Sequence, residues 1–196
     1  MWPEPLTLRG RNVVLEPLSR DHCGDLQKAS ALGELYRLWY TAVPAPEAMA
    51  DEIDRRLDLQ ARGSMLPFAT CLPDGTAIGM TTYMNIDAAN KRLEIGHTWL
   101  GRAAQKSPVN TEAKRLMLAH AFDDLDCIAV EFRTHFMNAQ SRAAIERLGA
   151  KQDGILRAHM RLPDGSLRDT VVYSITAAEW PAVRAGLDWH LARPRE

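Results

Sequence analysis

The stretch Arg92-Leu-Glu-Ile-Gly-His-Thr-Trp-Leu100 mixes β-branched, aromatic and apolar residues and predicts a strand that Gly96 interrupts. A glycine inside a strand pattern often marks a bulge, where backbone groups turn out of the ladder. The polar segment Gln105-Lys-Ser-Pro-Val-Asn-Thr-Glu112 follows, with Ser107 and Pro108 suited to the N-cap and first position of a helix. The apolar residues after it have the spacing of one buried helix face, namely Leu116, Met117, Ala121, Phe122 and Leu125.

A second strand and a second helix complete this unit. Ile128, Val130 and Phe132 alternate with less apolar neighbours, which predicts a strand. Asn138 then opens a helix pattern, and Gly149 is placed to end it. Two strands joined by a full helix are far enough apart in sequence for a right-handed parallel crossover.

The rest of the chain places further strands and helices on both sides of this unit. Strand patterns cover 12–18, 66–72, 77–86, 154–162 and 167–175, and two Pro-Asp-Gly turns join the last four into hairpins. Helix patterns cover parts of 21–39, 49–60 and 177–191. A chain of 196 residues favours one domain over 1–196. We therefore expect about seven strands in a mixed sheet with helices packed on it.

The order and the residue types of the Glu94–Ala150 unit resemble the GNAT superfamily, in particular its branch that includes ribosomal-protein N-terminal acetyltransferases. A family segment Gln/Arg-x-x-Gly-x-Gly/Ala, which wraps the CoA pyrophosphate, aligns with the six residues from Gln105 to Asn110. A later segment, Asn-x-x-Ser/Ala followed by a glycine turn, matches Asn138, Ser141 and Gly149. The resemblance extends over nearly the whole chain, and the ordered set of motifs is more specific than any one of them.

The resemblance implies an α+β fold with a mixed, mostly antiparallel sheet, helices on both faces and a central splayed pair of parallel strands. It also implies an acyl-CoA-dependent N-acetyltransferase with acetyl-CoA as co-substrate. In a ternary complex, the amine of the acceptor would attack the acetyl thioester directly. The acceptor is left open between a protein N-terminus and a small-molecule amine. The alternative is a non-catalytic acyl-CoA-binding or sensing protein on the same fold, and an interaction domain comes third.

The pyrophosphate segment departs from the family pattern at two positions. Pro108 removes one backbone donor, and Asn110 puts a side chain where close backbone approach is usual. A pyrophosphate at a helix start is held by unpaired N–H groups and the helix dipole. We expect compensating donors from the backbone and side chains of Gln105, Lys106, Ser107, Val109, Asn110 and Thr111.

Amine acylation from a thioester needs a neutral amine, donors for the oxyanion and stabilisation of the leaving thiolate. Glu94, just before the expected bulge, is the candidate base, and a solvated strand residue or an ion pair with arginine is the alternative. Backbone N–H groups at Thr98, Trp99 or Leu100 would serve the oxyanion and the pantetheine arm. The alternative is that these N–H groups form ordinary hydrogen bonds to the neighbouring strand. For the Trp99 ring, a place in the hydrophobic core is favoured.

The proton donor for the leaving group is the least defined role. Many relatives place a tyrosine where this chain has Ile145, so Ser141 is the substitute candidate. Asn138 would bond a pantetheine amide. A helix N-cap for Asn138 and a surface position for Ser141 are the structural alternatives.

Composition excludes several other classes of protein. The net charge of −1, from 24 basic and 25 acidic residues, gives no basic excess for non-specific nucleic-acid binding. Three cysteines without metal-type spacing favour a reducing, cytoplasmic location, and the first residues lack the pattern of a signal peptide. We expect no metal, no membrane partner and, as one option, a homodimer that uses the Trp180–Trp189 helix.

Overall fold

A computed structural model describes residues 2–41 and 43–193 as an α+β fold built on one eight-stranded sheet. The strands are β1 Leu8–Arg9, β2 Val14–Pro17, β3 Met65–Cys71, β4 Ala77–Asp87, β5 Arg92–Leu100, β6 Ala129–His135, β7 Lys151–Arg161 and β8 Leu167–Thr176. The helices are α1 Cys23–Ala31, α2 Met49–Ala61, α3 Val109–Ala119, α4 Ala139–Glu146 and α5 Trp180–Ala192. The spatial order is β1-β2-β3-β4-β5-β6-β8-β7. The expected fold is confirmed, with one short strand more than the approximate seven.

Helices cover both faces of this sheet, as expected. On one face, Leu93, Ile95, Val130 and Phe132 of the central strands share a buried cluster with residues of α3, α4 and α5. On the other face, a second buried cluster joins the sheet to α1 and α2. Its members include Met80 and Trp99 from the sheet, Leu26 from α1, and Met49 and Ile53 from α2. The alternation of side chains along each strand divides the apolar residues between these two clusters.

The pairing of β5 with β6 is short. Only Arg92–Ala129, Leu93–Val130 and Glu94–Glu131 are parallel partners. Beyond them β5 continues to Leu100 beside β4, and β6 continues to His135 beside β8. The two central strands therefore separate after Glu94 and leave a cleft between them, as the resemblance implied.

A bulge lies in β5 one residue beyond the expected position. The register with β4 changes between Met80–Trp99 and Thr82–Gly96, so the bulge falls at His97 and Thr98. His97 adopts the left-handed conformation at φ 47°. Gly96 serves a different need, because a Cβ there would lie 2.7 Å from the Met84 sulfur and 2.9 Å from Glu94 Oε1. The glycine makes room for the Glu94 carboxylate.

The helix after the cleft begins and ends slightly away from its expected bounds. Ser107 Oγ accepts from the Val109 N–H at 3.3 Å, and Pro108 already has helical backbone angles. The expected helix to Leu125 changes to a π-helical turn over His120–Asp124. After α4, Gly149 turns the chain at φ 95°, as expected from the sequence. In the described residues, no helix is both long and apolar enough to cross a bilayer.

Candidate active site

Glu94 is a buried carboxylate beside the cleft, on the sheet face that carries α1 and α2. Its side chain is 5% exposed. Asn85 Nδ2 donates to Glu94 Oε2 at 2.7 Å, and Arg133 Nε lies 3.4 Å from the same oxygen. Burial raises the pKa of Glu94, while Asn85 and Arg133 lower it. Burial thus increases the affinity of the carboxylate for a proton, while Asn85 and Arg133 favour its ionised form, and both effects suit a general base.

Asn85 owes its position to a second irregularity of the ladder between β4 and β5. The register changes again between Met84–Glu94 and Asp87–Arg92, and Asn85 has φ 46°. Asparagine tolerates the left-handed region better than most residues with a Cβ. The bulged backbone thus aims the Asn85 amide at the carboxylate of the next strand.

The bulge in β5 is held from α2 by Arg56, whose side chain is 1% exposed. Arg56 donates to Thr82 Oγ1 at 2.9 Å and has two 3.4 Å contacts with the His97 carbonyl oxygen. Its counter-charge is Glu52, one helical turn earlier, at 2.7 Å. A buried guanidinium therefore satisfies the carbonyl that the bulge removes from the ladder.

Beyond the bulge, the four residues from His97 to Leu100 differ in environment. His97 and Thr98 are exposed at the cleft, and Trp99 and Leu100 are buried. Desolvation by the surrounding cleft, with Arg56 and Arg55 nearby, lowers the pKa of His97 to about 4. His97 is therefore neutral at neutral pH. The Trp99 ring fills the core against α1 and α2, which agrees with the favoured alternative for that side chain.

The start of α3 presents unpaired backbone donors. Within residues 2–41 and 43–193, the N–H groups of Asn110 and Thr111 have no hydrogen-bond acceptor. Lys106 has φ 58°, which turns the chain just before the helix. Gln105, in contrast, donates its side-chain amide to the Leu100 carbonyl at 3.1 Å and links this turn to β5. An anion placed here would meet two free N–H groups and the positive end of the helix dipole.

The first turn of α4 supports the structural role for Asn138. Its side-chain oxygen accepts from the Ser141 N–H at 2.9 Å, which is an N-cap bond. Ser141 is half-buried, and its hydroxyl has no partner among the described residues. Ile145, where many relatives have a tyrosine, is 8% exposed and belongs to the core cluster of that face. Nothing at position 145 can donate a proton.

Lys114 of α3 is a buried polar residue that the sequence did not single out. It is 5% exposed, and its Nζ donates to Thr81 Oγ1 at 2.8 Å and to Thr98 Oγ1 at 2.7 Å. Burial lowers the pKa of Lys114 to about 7. A lysine on an amphipathic helix is usually exposed to solvent, so no local sequence signal indicated that Lys114 is buried.

The far side of the cleft is formed by the end of β6 and by the segment between α1 and α2. The Trp39 ring packs edge-on against His135, with ring centroids 5.2 Å apart. His135 is 4% exposed, and its pKa is lowered by burial and then by Arg168. Arg168 also acts electrostatically on Glu94 and on His97. An acceptor entering here would meet aromatic, cationic and carboxylate groups.

One group of possible metal ligands lies away from the cleft, at Glu16, His22 and Cys71. His22 Nδ1 accepts the Ser19 N–H at 3.1 Å, so the proton of the neutral ring is on Nε2, the nitrogen 3.6 Å from Glu16. Burial and then Glu16 raise the pKa of Cys71 to about 11. A thiol and a protonated ring nitrogen are poor ligands. A metal at this group would therefore have to displace a proton from the thiol and another from the ring.

Comparison with known proteins defines the class. The family model described as an acetyltransferase (GNAT) domain matches residues 12–151, and this chain belongs to that family. A GCN5-related N-acetyltransferase from Brucella melitensis superposes with a TM-score of 0.87 at 34% identity, covering 97% of this chain and 87% of that one. A protein from T. thermophilus, described provisionally as an acetyltransferase, gives 0.85 at 36% identity over 97% and 100%.

A curated relative extends the comparison to the ribosomal branch. YdaF of Bacillus subtilis (strain 168), provisionally named a ribosomal N-acetyltransferase, is 32% identical over 112 residues. That match covers 57% of this chain and 60% of YdaF, so this chain aligns with less than two thirds of that relative. The GNAT family uses acetyl-CoA. The unpaired N–H groups at Asn110 and Thr111 and the open cleft after Glu94 fit such a group.

Proposed function

We propose that this protein transfers an acetyl group from acetyl-CoA to a primary amine by direct attack in a ternary complex. One observation carries the proposal: β5 and β6 separate after Glu94, so that a buried carboxylate and an unpaired helix start flank the same cleft. Family membership supports acetyl transfer in general. The acceptor and the individual roles are inferred from the geometry.

Glu94 is the proposed base. An α-amino group has a pKa of about 8 and a lysine side chain about 10.4, so both are largely protonated at neutral pH and must lose a proton before attack. The pKa of Glu94 is raised by burial, which improves its basicity. The bond from Asn85 keeps the ionised form accessible. Glu94 would take the proton directly or through one water molecule.

The start of α3 is the proposed binding site for the diphosphate of CoA. The donors are the N–H groups of Asn110 and Thr111, with Lys106, Ser107 and Val109 around them. Gln105 supports this turn through Leu100. When bound, acetyl-CoA supplies an activated acetyl thioester. The residues after the bulge, Thr98, Trp99 and Leu100, are the proposed backbone contacts of its extended arm.

On α4, Ser141 is the proposed donor near the leaving group, and Asn138 is the proposed contact to a pantetheine amide. The Asn138 side-chain oxygen already caps the helix, so its amide NH₂ is the part left for a ligand. The unpartnered Ser141 hydroxyl supports the assignment. Buried Ile145 supports the alternative of a binding or sensing protein without turnover.

The acceptor is proposed to be a primary amine, with a protein N-terminus as the first candidate. The name of YdaF supports a ribosomal acceptor for that relative, and the Trp39 ring beside buried His135 is largely exposed. An N-terminal α-amino group is also easier to deprotonate than a lysine. A small-molecule amine is the second candidate. Assays with an N-terminal peptide library and a matched set of small amines decide between them.

Free-thiol release from acetyl-CoA in the presence of amines tests the function. Wild type should bind CoA in calorimetry and release thiol with at least one amine. E94Q, which keeps the size and the Asn85 contact, should bind CoA normally and lose about 10²-fold or more in kcat. Binding without turnover across both amine sets would favour the sensing alternative. No binding of CoA by wild type would contradict the proposal altogether.

Two further properties remain proposals. A homodimer is one option, and the exposed Trp189 on α5 supports it, whereas Trp180 is buried against Phe122 within one chain. Sedimentation of wild type and W189S at several concentrations would test it. A cytoplasmic location agrees with three free cysteines in the described residues, and a fluorescent fusion would show the compartment.

A further inference from the structure

Lys114 forms a closed triangle of polar contacts with two threonine hydroxyls in the centre of the fold. Its Nζ lies 2.8 Å from Thr81 Oγ1 and 2.7 Å from Thr98 Oγ1, and the two hydroxyl oxygens are 2.8 Å apart. A lysine ammonium has three donors. Two of them are used by these hydroxyls, and the third has no acceptor among the described residues.

The buried cation has no counter-charge in the described part of the chain. Within residues 2–41 and 43–193 the hydrogen-bond partners of Lys114 Nζ are two hydroxyls and no carboxylate, and burial alone lowers its pKa to about 7. The charged and titratable side chains on the neighbouring elements do not contribute to that pKa; they are Tyr83 of β4, Glu94 and His97 of β5, and Glu112 and Arg115 of α3. An unpaired charge in the interior is costly unless a ligand supplies the opposite charge.

The triangle opens onto the cleft at one corner only. Thr98 is exposed at the cleft, whereas Thr81 and Lys114 are buried. Lys114 also follows Asn110 by one helical turn, so it lies on the same face of α3 as one of the unpaired N–H groups. A group held at the α3 start and extending beside β5 would therefore reach the Thr98 hydroxyl, with the cation directly behind it.

We propose that Lys114, acting through the Thr98 hydroxyl, is a positioning residue that stabilises the thiolate of CoA as it leaves. The inference rests on the proposed function and deepens it. It assigns protonation of the leaving sulfur to Thr98 of β5 and Lys114 of α3, on the side of the cleft opposite Glu94, and leaves Ser141 of α4 only a hydrogen bond to the thiolate. It also accounts for the lack of a tyrosine at position 145.

The protons balance across the two faces of β5. The ammonium form of the acceptor first loses one proton to solvent through Glu94. The C–N bond then forms as the C–S bond breaks; the nitrogen loses its second proton to Glu94, and the sulfur receives one from the Thr98 hydroxyl. Thr98 takes a proton from the Lys114 ammonium. Neutral Lys114 and protonated Glu94 then exchange one proton through solvent, which restores the starting state. Two groups with pKa values displaced toward neutrality, one acid and one base, suit this cycle.

The test is the pKa of the CoA thiol bound to the protein, followed by the ultraviolet absorbance of the thiolate during a pH titration. It needs no acceptor. In wild type, the thiol should titrate below free CoA, because the thiolate and the Lys114 ammonium stabilise each other's charged forms and titrate as a coupled pair. In K114M it should titrate at least about one unit higher than in wild type, a tenfold change in thiolate fraction. T98V should shift in the same direction although the lysine remains.

Two controls separate this role from a structural one. T81V removes the other partner of Lys114 but not the connection to the cleft, so its bound thiol should titrate close to wild type. Acetyl-CoA has no free thiol, and calorimetry should give the same Kd for wild type and T81V, which checks that T81V leaves the CoA site intact. If K114M fails to fold, the pKa of the bound CoA thiol in T98V is compared with that in T81V, and a higher value in T98V alone supports the inference.

Equal titration curves for bound CoA in wild type, K114M and T98V would overturn the inference while leaving the proposed function intact. A shift in K114M with none in T98V would refute the connection through Thr98. Failure of wild type to bind CoA would remove the proposed function itself. The two failures are therefore distinguishable in the same set of measurements.

Discussion

Asn85 donates a 2.7 Å hydrogen bond to Glu94 across two adjacent strands, from a backbone position in the left-handed region. Burial raises the pKa of Glu94 and this bond opposes the rise. The pair links an irregular segment of β4 to the proposed base in β5. The tuning of Glu94 thus depends on a register change that brings the amide to the carboxylate.

Replacement of Asn85 by glycine should move the acid limb of the pH profile of kcat/KM to higher pH. Glycine keeps the positive φ without strain and removes the amide. The pKa of Glu94 should rise further, because the bond that lowers it is lost, so kcat/KM falls off at higher pH than in wild type. A pH profile of thiol release measures this. N90A removes an exposed contact to Asp87 and should leave the acid limb in place, and the same shift in both variants would argue against the Asn85 contact.

Arg56 and Arg55 share Glu52 but differ in burial, which gives a matched pair of variants. R56M leaves Glu52, Thr82 and the His97 carbonyl without their buried partner and should cost about 3 kcal/mol or more. R55M removes a half-exposed partner and should cost less than about 1 kcal/mol. Urea unfolding measures both, and equal losses would show that Arg56 does not hold the bulge.

A negative charge at the start of α3 should weaken CoA binding. N110E places a carboxylate beside the unpaired N–H groups, where the diphosphate is proposed to lie, and should reduce affinity by about tenfold or more. N110Q has the same size without the charge and should bind nearly as wild type does. Calorimetry at two salt concentrations measures the difference, which added salt should reduce. Equal affinities for the two variants would place the diphosphate elsewhere.

Variants of Asn138 and Ser141 should distinguish a contribution of α4 to the stability of the fold from a contribution to the reaction. N138A removes the N-cap bond to the Ser141 N–H and should lower stability by about 1 kcal/mol. S141A leaves that backbone bond intact and should unfold as wild type does. Thermal unfolding measures the first effect, and thiol release measures the second. If S141A retains full kcat, its hydroxyl has no part in the reaction.

Lys114 should make stability depend on pH above neutrality. Its pKa is about 7 in the folded protein and 10.5 in an ordinary setting, so the unfolded chain binds more protons between these values. Stability relative to K114M should therefore rise as pH increases from about 7 to 10, by up to about 5 kcal/mol. Below pH 7 the difference should be constant. Denaturant midpoints across this range measure it, and a flat difference would mean that Lys114 is not desolvated.

Much of the fold could be predicted because its signals are local. The Pro-Asp-Gly turns, the glycine after α4 and the strand alternation each depend on neighbours within a few residues. The N-cap role was the structural alternative for Asn138 for the same reason, and the structure contains that bond. The helix after the cleft was predicted as one regular helix, whereas its last turn, His120–Asp124, is π-helical. This turn follows a tertiary contact, the 2.6 Å bond from the Tyr83 hydroxyl to the Met117 carbonyl.

The sequence alone determined the order of elements, the parallel crossover and the polar segment at the start of α3, because propensity and periodicity are short-range properties of the chain. Only the tertiary structure decided how deeply Glu94 is buried, that Arg56 holds the His97 carbonyl, and that Lys114 meets Thr98. These contacts join residues 16 to 41 positions apart. Their pKa shifts depend on desolvation, which packing creates and which no local pattern encodes.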